Sequence, residues 1–190
     1  MRLFVAVPLN PALRPAAERV RGEILHLCPE AARRIKWVEP HNLHFTLKFL
    51  GEVSEAKLEQ VRAALEHLRD SEAFDVRIEG IGAFPNARNA QVLWVGASEG
   101  ADHLTALARQ AEDVLAEAGF PREARPFSPH LTLGRVRDPG RLPGLKMALE
   151  AVGSANFGVQ RVDSVVLMES RLSPKGPTYT EKVTVPLVRY

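Results

Sequence analysis

Two segments of the 190-residue chain share a pattern whose residue types can do chemistry. Pro40-His41-Asn42-Leu43-His44-Phe45-Thr46-Leu47 and Pro126-Phe127-Ser128-Pro129-His130-Leu131-Thr132-Leu133 both read proline, three residues, histidine, an apolar residue, threonine, leucine. Random placement predicts only about 0.02 His-x-Thr-Leu tetrapeptides in such a chain, so a pair of them needs a reason. Side chains alternate along a strand, which puts His44 and Thr46 on one face and turns Phe45, Leu47 and Phe49 to the other. His130 and Thr132 repeat the arrangement over Leu131 and Leu133. Solvation alone accounts for two polar residues on a strand, but not for the same two types at the same spacing twice. A phosphoryl group displaced in line needs a base on the side of attack, an acid on the side of departure, and donors to its non-bridging oxygens. Two imidazoles and two hydroxyls form that set, because a pKa near 6.5 lets one ring be neutral while the other is protonated. The set asks for no metal and no cofactor.

Neighbouring residues leave alternatives open. Arg135 either supplies charge to the phosphate or is a solvated strand-end arginine; strict alternation puts it on the Leu131 face unless Gly134 permits a bulge. Phe127 and Trp37 either stack on a terminal base or pack in the core. Lys48 continues the His44-Thr46 face, where it lines the cleft or is an ordinary exposed lysine. His41 and His44 fall on opposite faces of a strand, with no thiolate or carboxylate partner in the pattern, so no metal site is expected. His26, His67 and His103 read as helical and solvated, and Cys28 as a packed or idle thiol. Gly80-Ile81-Gly82 lacks the rest of a dinucleotide-binding fingerprint.

The pair His44-Phe45-Thr46-Leu47 and His130-Leu131-Thr132-Leu133 resembles the two H-x-T-x signatures of the 2H phosphoesterase superfamily. The flanks Trp37-Val38, Lys48-Phe49-Leu50-Gly51, Phe127-Ser128-Pro129 and Gly134-Arg135 are similar to those of bacterial and archaeal RNA 2',3'-cyclic phosphodiesterases, historically called 2'-5' RNA ligases. Leu3 to Pro8, Ser170-Arg171-Leu172 and Gly176-Pro177 with Tyr179 extend the resemblance over nearly the whole chain. It implies a bilobal α+β fold, two antiparallel sheets with outer helices in a pseudo-twofold arrangement around a central cleft, and residues 1–190 as a single domain of two packed lobes. It also implies hydrolysis of a terminal 2',3'-cyclic phosphate on RNA to a 2'-phosphomonoester. His44 would then be the proton donor to the departing 3' oxygen, His130 the acceptor that activates water, and Thr46 and Thr132 the phosphate-binding residues. The implied partners are RNA 3' ends bearing the cyclic phosphate, tRNA halves among them, and the implied state is a monomer without an obligate protein partner. Reversible 2'-5' ligation, a small cyclic-nucleotide substrate, or an AMP-binding module without turnover are the alternatives.

The elements that must carry these residues are legible in outline. Leu3, Val5, Val7 and Leu9 alternate as a strand, and Asn10-Pro11 opens a helix with Leu13, Ala17, Val20, Ile24 and Leu27 inward. A strand over Leu43 to Leu50 ends at Gly51, and Ser54 caps a helix marked by Leu58, Val61, Leu65 and Leu68. Strands over Phe74 to Ile81 and Gln91 to Val95 pair, and a helix follows from Ala101 to Ala118. Next come a strand from His130 to Val136, a punctuated segment from Pro139 to Gly144, and a short helix from Leu145 to Ala151. Strands over Val162 to Met168 and Tyr179 to Leu187 close the chain as a hairpin around Ser173 to Pro177.

Composition bounds the partners. Lys and Arg number 25 against 23 Asp and Glu, a formal charge of +2, too small for a protein that neutralises many phosphates along a duplex. It suits one that grasps a single phosphate. One cysteine excludes a disulfide framework and a multi-cysteine metal cluster. Apolar runs fall well short of the roughly 18 to 20 residues that span a bilayer, so a cytoplasmic protein is expected.

Overall fold

The computed structural model describes residues 1–138 and 140–189; Pro139, which heads the punctuated segment, lies outside them, as does Tyr190. In chain order the elements are β1 (Arg2–Pro8), α1 (Arg14–Leu27), α2 (Ala31–Arg34), β2 (Ile35–Trp37), β3 (His44–Glu52), α3 (Glu55–Glu66), β4 (Phe74–Phe84), β5 (Val92–Ala97), α4 (Ala101–Glu117), β6 (His130–Val136), α5 (Leu145–Ala151), β7 (Asn156–Val162), β8 (Ser164–Ser173) and β9 (Gly176–Pro186). All strands join one antiparallel sheet in the order β7-β4-β5-β6-β3-β1-β8-β9, with β2 added beside β6. The two expected sheets are therefore two halves of one curled sheet. Their seam is the β3–β6 ladder, in which Phe45 opposite Leu131 is the one recorded pair.

The half β7-β4-β5-β6 is drawn from a single stretch, 74–162, with β2 added beside it. The other half joins β1 and β3 to β8 and β9 from the far end of the sequence, β8 returning to pair with β1. Helices cover one face of the sheet, with α1 against α5 and α3 against α4. Under them Leu3, Val5 and Val7 of β1, Phe45 and Leu47 of β3, Leu131 and Leu133 of β6, and Leu104, Leu107 and Leu115 of α4 form one buried core. Burial of that apolar area is the main stabilising term for such a sheet, which has no other way to shield its helix-side face.

Several local expectations change. Leu27, the last residue of α1, is 50% exposed rather than inward. Gly51 does not end β3; it sits at φ +69° and the strand runs on to Glu52. Ser54 occupies the N-cap position of α3, but its hydroxyl makes no capping bond. β2 and β7 have no counterpart among the expected strands. Gly158 breaks the alternation of β7 at φ +112°, and its inward positions include a polar residue, Gln160, which donates to the Pro8 carbonyl and accepts from the Asn10 N–H.

Candidate active site

The two motif strands share one irregularity. Along β3 the register with β1 passes from Thr46 opposite Ala6 to Lys48 opposite Val5, leaving Leu47 as an extra residue. Along β6 the register with β5 passes from Thr132 opposite Trp94 to Gly134 opposite Leu93, leaving Leu133 extra. Each is a bulge, and a bulge resets which face the following residues take. Burial follows suit: both strands run part-buried His, buried, part-buried Thr, buried, buried, exposed. Lys48 and Gly134 thus turn to the core side, and Phe49 and Arg135 come round to the face of the histidines.

Two expectations, for Lys48 and Phe49, are corrected by this, and for Arg135 the open alternative of a bulge at Gly134 is the one taken. Lys48 does not continue the His44-Thr46 face; it is 2% exposed and bonded to Glu112 of α4 at 2.5 Å. Phe49 does not enter the core; it is 60% exposed. Arg135 lies on the Thr132 face instead of the Leu131 face, and its guanidinium, with that of Arg2, acts on the Tyr179 hydroxyl, whose pKa burial nonetheless raises. Trp37 is placed on β2 opposite Gly134, its Nε1–H donating to the Ala31 carbonyl and its ring beneath the Arg21 guanidinium. Phe127 is part-buried against the core. His41 sits in a short turn, Pro40–Asn42, ahead of β3 and not on it.

The histidines are held alike. The Nδ1–H of His44 donates to the carbonyl of Asn42 at 2.7 Å, and that of His130 to the carbonyl of Ser128 at 2.7 Å. A carbonyl only accepts, so each ring keeps a proton on Nδ1 and leaves Nε2 as its remaining nitrogen. Nε2 of His44 lies 2.9 Å from the Thr46 hydroxyl. The antiparallel pair Phe45–Leu131 places His44 beside Thr132 on one side and Thr46 beside His130 on the other, which brings the four groups together across the seam. Burial pushes the His44 pKa below its usual value of 6.5; the Asn42 bond acts against that shift, and the charge of His130 adds to it.

Aromatic rings wall the pair. Phe4 lies 4.9 Å from the His44 ring and Tyr179 meets its edge at 5.4 Å, while Phe84 meets His130 edge-on at 5.2 Å and Trp94 lies beside Phe84. The motif pattern does not point to these residues. One signal is present in the sequence: Phe4 stands between Leu3 and Val5 on the face that alternation leaves uncored. Tyr179 and Phe84 come from distant strands, and only the topology brings them in. Cys28 is buried, its thiol facing the Pro143 carbonyl.

Comparison with known proteins adds the following. Residues 9–173 match the family described as the 2'-5' RNA ligase superfamily. A Methanothermobacter thermautotrophicus protein named RNA 2',3'-cyclic phosphodiesterase is 37% identical over 182 residues, 95% of this chain and 96% of its own. Among solved structures, TT0787 of Thermus thermophilus superposes with a TM-score of 0.79 at 33% identity, covering 98% of this chain and 97% of that one. The LigT protein of E. coli complexed with 3'-AMP does so with a TM-score of 0.77 at 27% identity, again over 98% and 97%.

Proposed function

The chain belongs to the 2'-5' RNA ligase superfamily, and on that footing we propose that it is an RNA 2',3'-cyclic phosphodiesterase that opens the cyclic phosphate with two histidines and no metal. The observation that carries this reading is the matched pair of imidazoles, each spending Nδ1–H on the carbonyl two residues back and each with a threonine two residues on. With its Nδ1–H given to Asn42, His44 accepts at Nε2 from the Thr46 hydroxyl. A bound phosphate draws the Thr46 and Thr132 hydroxyls to its non-bridging oxygens and frees Nε2 of His44, which takes up a proton from solvent beside the phosphate's negative charge and becomes the imidazolium. His130 Nε2 then takes a proton from water as the water oxygen bonds to phosphorus, and the phosphorus bond to the 3' oxygen breaks as His44 Nε2 protonates that oxygen. The product is a 2'-phosphomonoester with a free 3' hydroxyl. His44 as donor and His130 as acceptor follow the family pattern; opening of the same cyclic phosphate by a 5' hydroxyl in place of water, with the 3' oxygen leaving, would give a 2'-5' linkage, and the near-symmetry of the two halves makes the reversal of that step accessible to the same groups.

An oligonucleotide ending in a 2',3'-cyclic phosphate, incubated with the protein in EDTA, is expected to yield the 2'-phosphate. His44→Ala and His130→Ala each lower turnover by about 10²- to 10⁴-fold, the usual worth of a positioned acid or base. Undiminished turnover in either variant, or a 3'-phosphate product, overturns the mechanism. Matched arms with a cyclic mononucleotide, AMP and split tRNA separate hydrolysis of RNA ends from small-nucleotide hydrolysis, simple nucleotide binding and ligation.

A further inference from the structure

The Lys48–Glu112 pair lies on the side of β3 away from the histidines and plays no part in the mechanism above. Lys48 Nζ donates to Glu112 Oε1 at 2.5 Å and to the Pro121 carbonyl at 2.8 Å, with its side chain 1% exposed. The other oxygen of Glu112 accepts from the Glu123 N–H at 3.0 Å. Both contacts therefore end on the segment that leaves α4 and runs to β6. That segment is assigned no helix or strand from Phe120 to Pro129. Its last turns, stiffened by Pro126 and Pro129, deliver the Ser128 carbonyl that holds the His130 Nδ1–H. An exposed ion pair, Arg122 to Asp113 at 2.6 Å, adds a third tie at the same end.

We propose that Lys48 and Glu112 are positioning residues for His130: they fasten the Pro121–Glu123 stretch to the motif strand of the opposite half, and so fix the carbonyl that sets the tautomer and orientation of the second histidine. A buried ion pair is weak as a device for stability, because desolvation offsets its attraction. It is well suited to holding a segment in one place, since Glu112 is bonded through both oxygens and Lys48 through two of its three donors. Lys48 stands two residues beyond Thr46, so one strand carries a phosphate donor on one face and the anchor of the other half's histidine on its reverse.

This proposal rests on the reading of His130 as a working group, and its test has an arm that does not. Lys48→Met with Glu112→Leu removes both buried charges while filling the space, a change that ordinarily leaves stability equal or raised. The melting temperature is expected to hold, while kcat falls about tenfold or more with little change in KM. In ¹⁵N spectra the His130 ring is expected to lose its single Nδ1–H tautomer while His44 keeps its own. Glu112→Gln gives a second reading without an empty site. An amide has one acceptor oxygen, which the Lys48 ammonium claims, so its NH2 faces the Glu123 N–H and that tie alone is released. A smaller effect of the same kind is expected. A folded double variant with unchanged kcat and an unchanged His130 tautomer overturns the proposal, as does a Glu112→Gln variant with both unchanged should the double variant not fold. Failure of the cyclic-phosphate assay in the wild-type protein instead strikes the proposed function and leaves the spectroscopic arm standing.

Discussion

In the proposed mechanism His44 gives up a proton from a place that disfavours holding one. Burial lowers its pKa from 6.5, and the charge of His130 lowers it further. A general acid must be protonated, so kcat/KM falls as pH rises through the pKa of free His44, which puts that limb below pH 6.5. A bound cyclic phosphate brings a negative charge beside the ring and favours the imidazolium, so the corresponding limb of kcat lies at higher pH. Coincident limbs, or limbs in the reverse order, would remove His44 from the role of acid. The same physics gives a result without substrate: in His130→Asn the His44 ring titrates at higher pH than in the wild type, because the like charge has gone. Stability follows with its own sign. Between the lowered folded pKa of His44 and 6.5 the unfolded chain binds more protons, so this residue makes the protein less stable as pH falls through that window.

At the scale of the strand, the paired bulges decide what the motif can reach. Strict alternation sends Lys48 to the cleft and Arg135 to the core; one extra residue after each Thr exchanges the faces. Gly134 sits at the reset position of β6, where β2 covers it. A Cβ there would stand 2.7 Å from Ile35 Cγ2 and 3.2 Å from the Lys36 carbonyl, so Gly134→Ala must displace β2. A loss of about 1–3 kcal/mol in denaturant unfolding is expected, the usual result of overpacking. No loss would mean that β2 yields freely and does not brace β6. The histidines, the threonines, the bounds of β6 and α5 and the pairing of β4 with β5 were legible because each depends on local pattern. Gly134 marked a possible bulge in β6, but nothing marked the one in β3, because a bulge exists only against a partner strand, and β1 is far from β3 in sequence. β7 escaped for a related reason, its alternation broken by Gly158 and its inward Gln160 satisfied by β1 and the turn after it. Phe4 has a signal of its own in the alternation of β1, but that it joins Phe84 and Tyr179 in one aromatic wall follows from the order of strands in the sheet.

The whole molecule sets how much of an RNA it can hold. Among the described residues the two half-sheets meet at the pair Phe45–Leu131, with the helix pairs and the Lys48–Glu112 tie across them, so the two histidines and two threonines sit on a seam between the halves instead of along a groove in one of them. A seam that offers two imidazoles, two hydroxyls and the nearby guanidiniums of Arg135 and Arg2 matches one terminal phosphate and its neighbour, and the net charge of +2 provides little long-range attraction for more. Counterion release makes this measurable. Neutralising about two phosphates of a single strand gives a slope of log(kcat/KM) against log[salt] near −1.4, whereas a protein tracking six or more would show about −4 or steeper. The expected result, for oligonucleotides of five and twenty nucleotides carrying the same cyclic end, is a shallow slope that is the same for both. A slope that steepens with length would mean that the strand runs on over the surface, and recognition would then have to be sought beyond the two histidine strands.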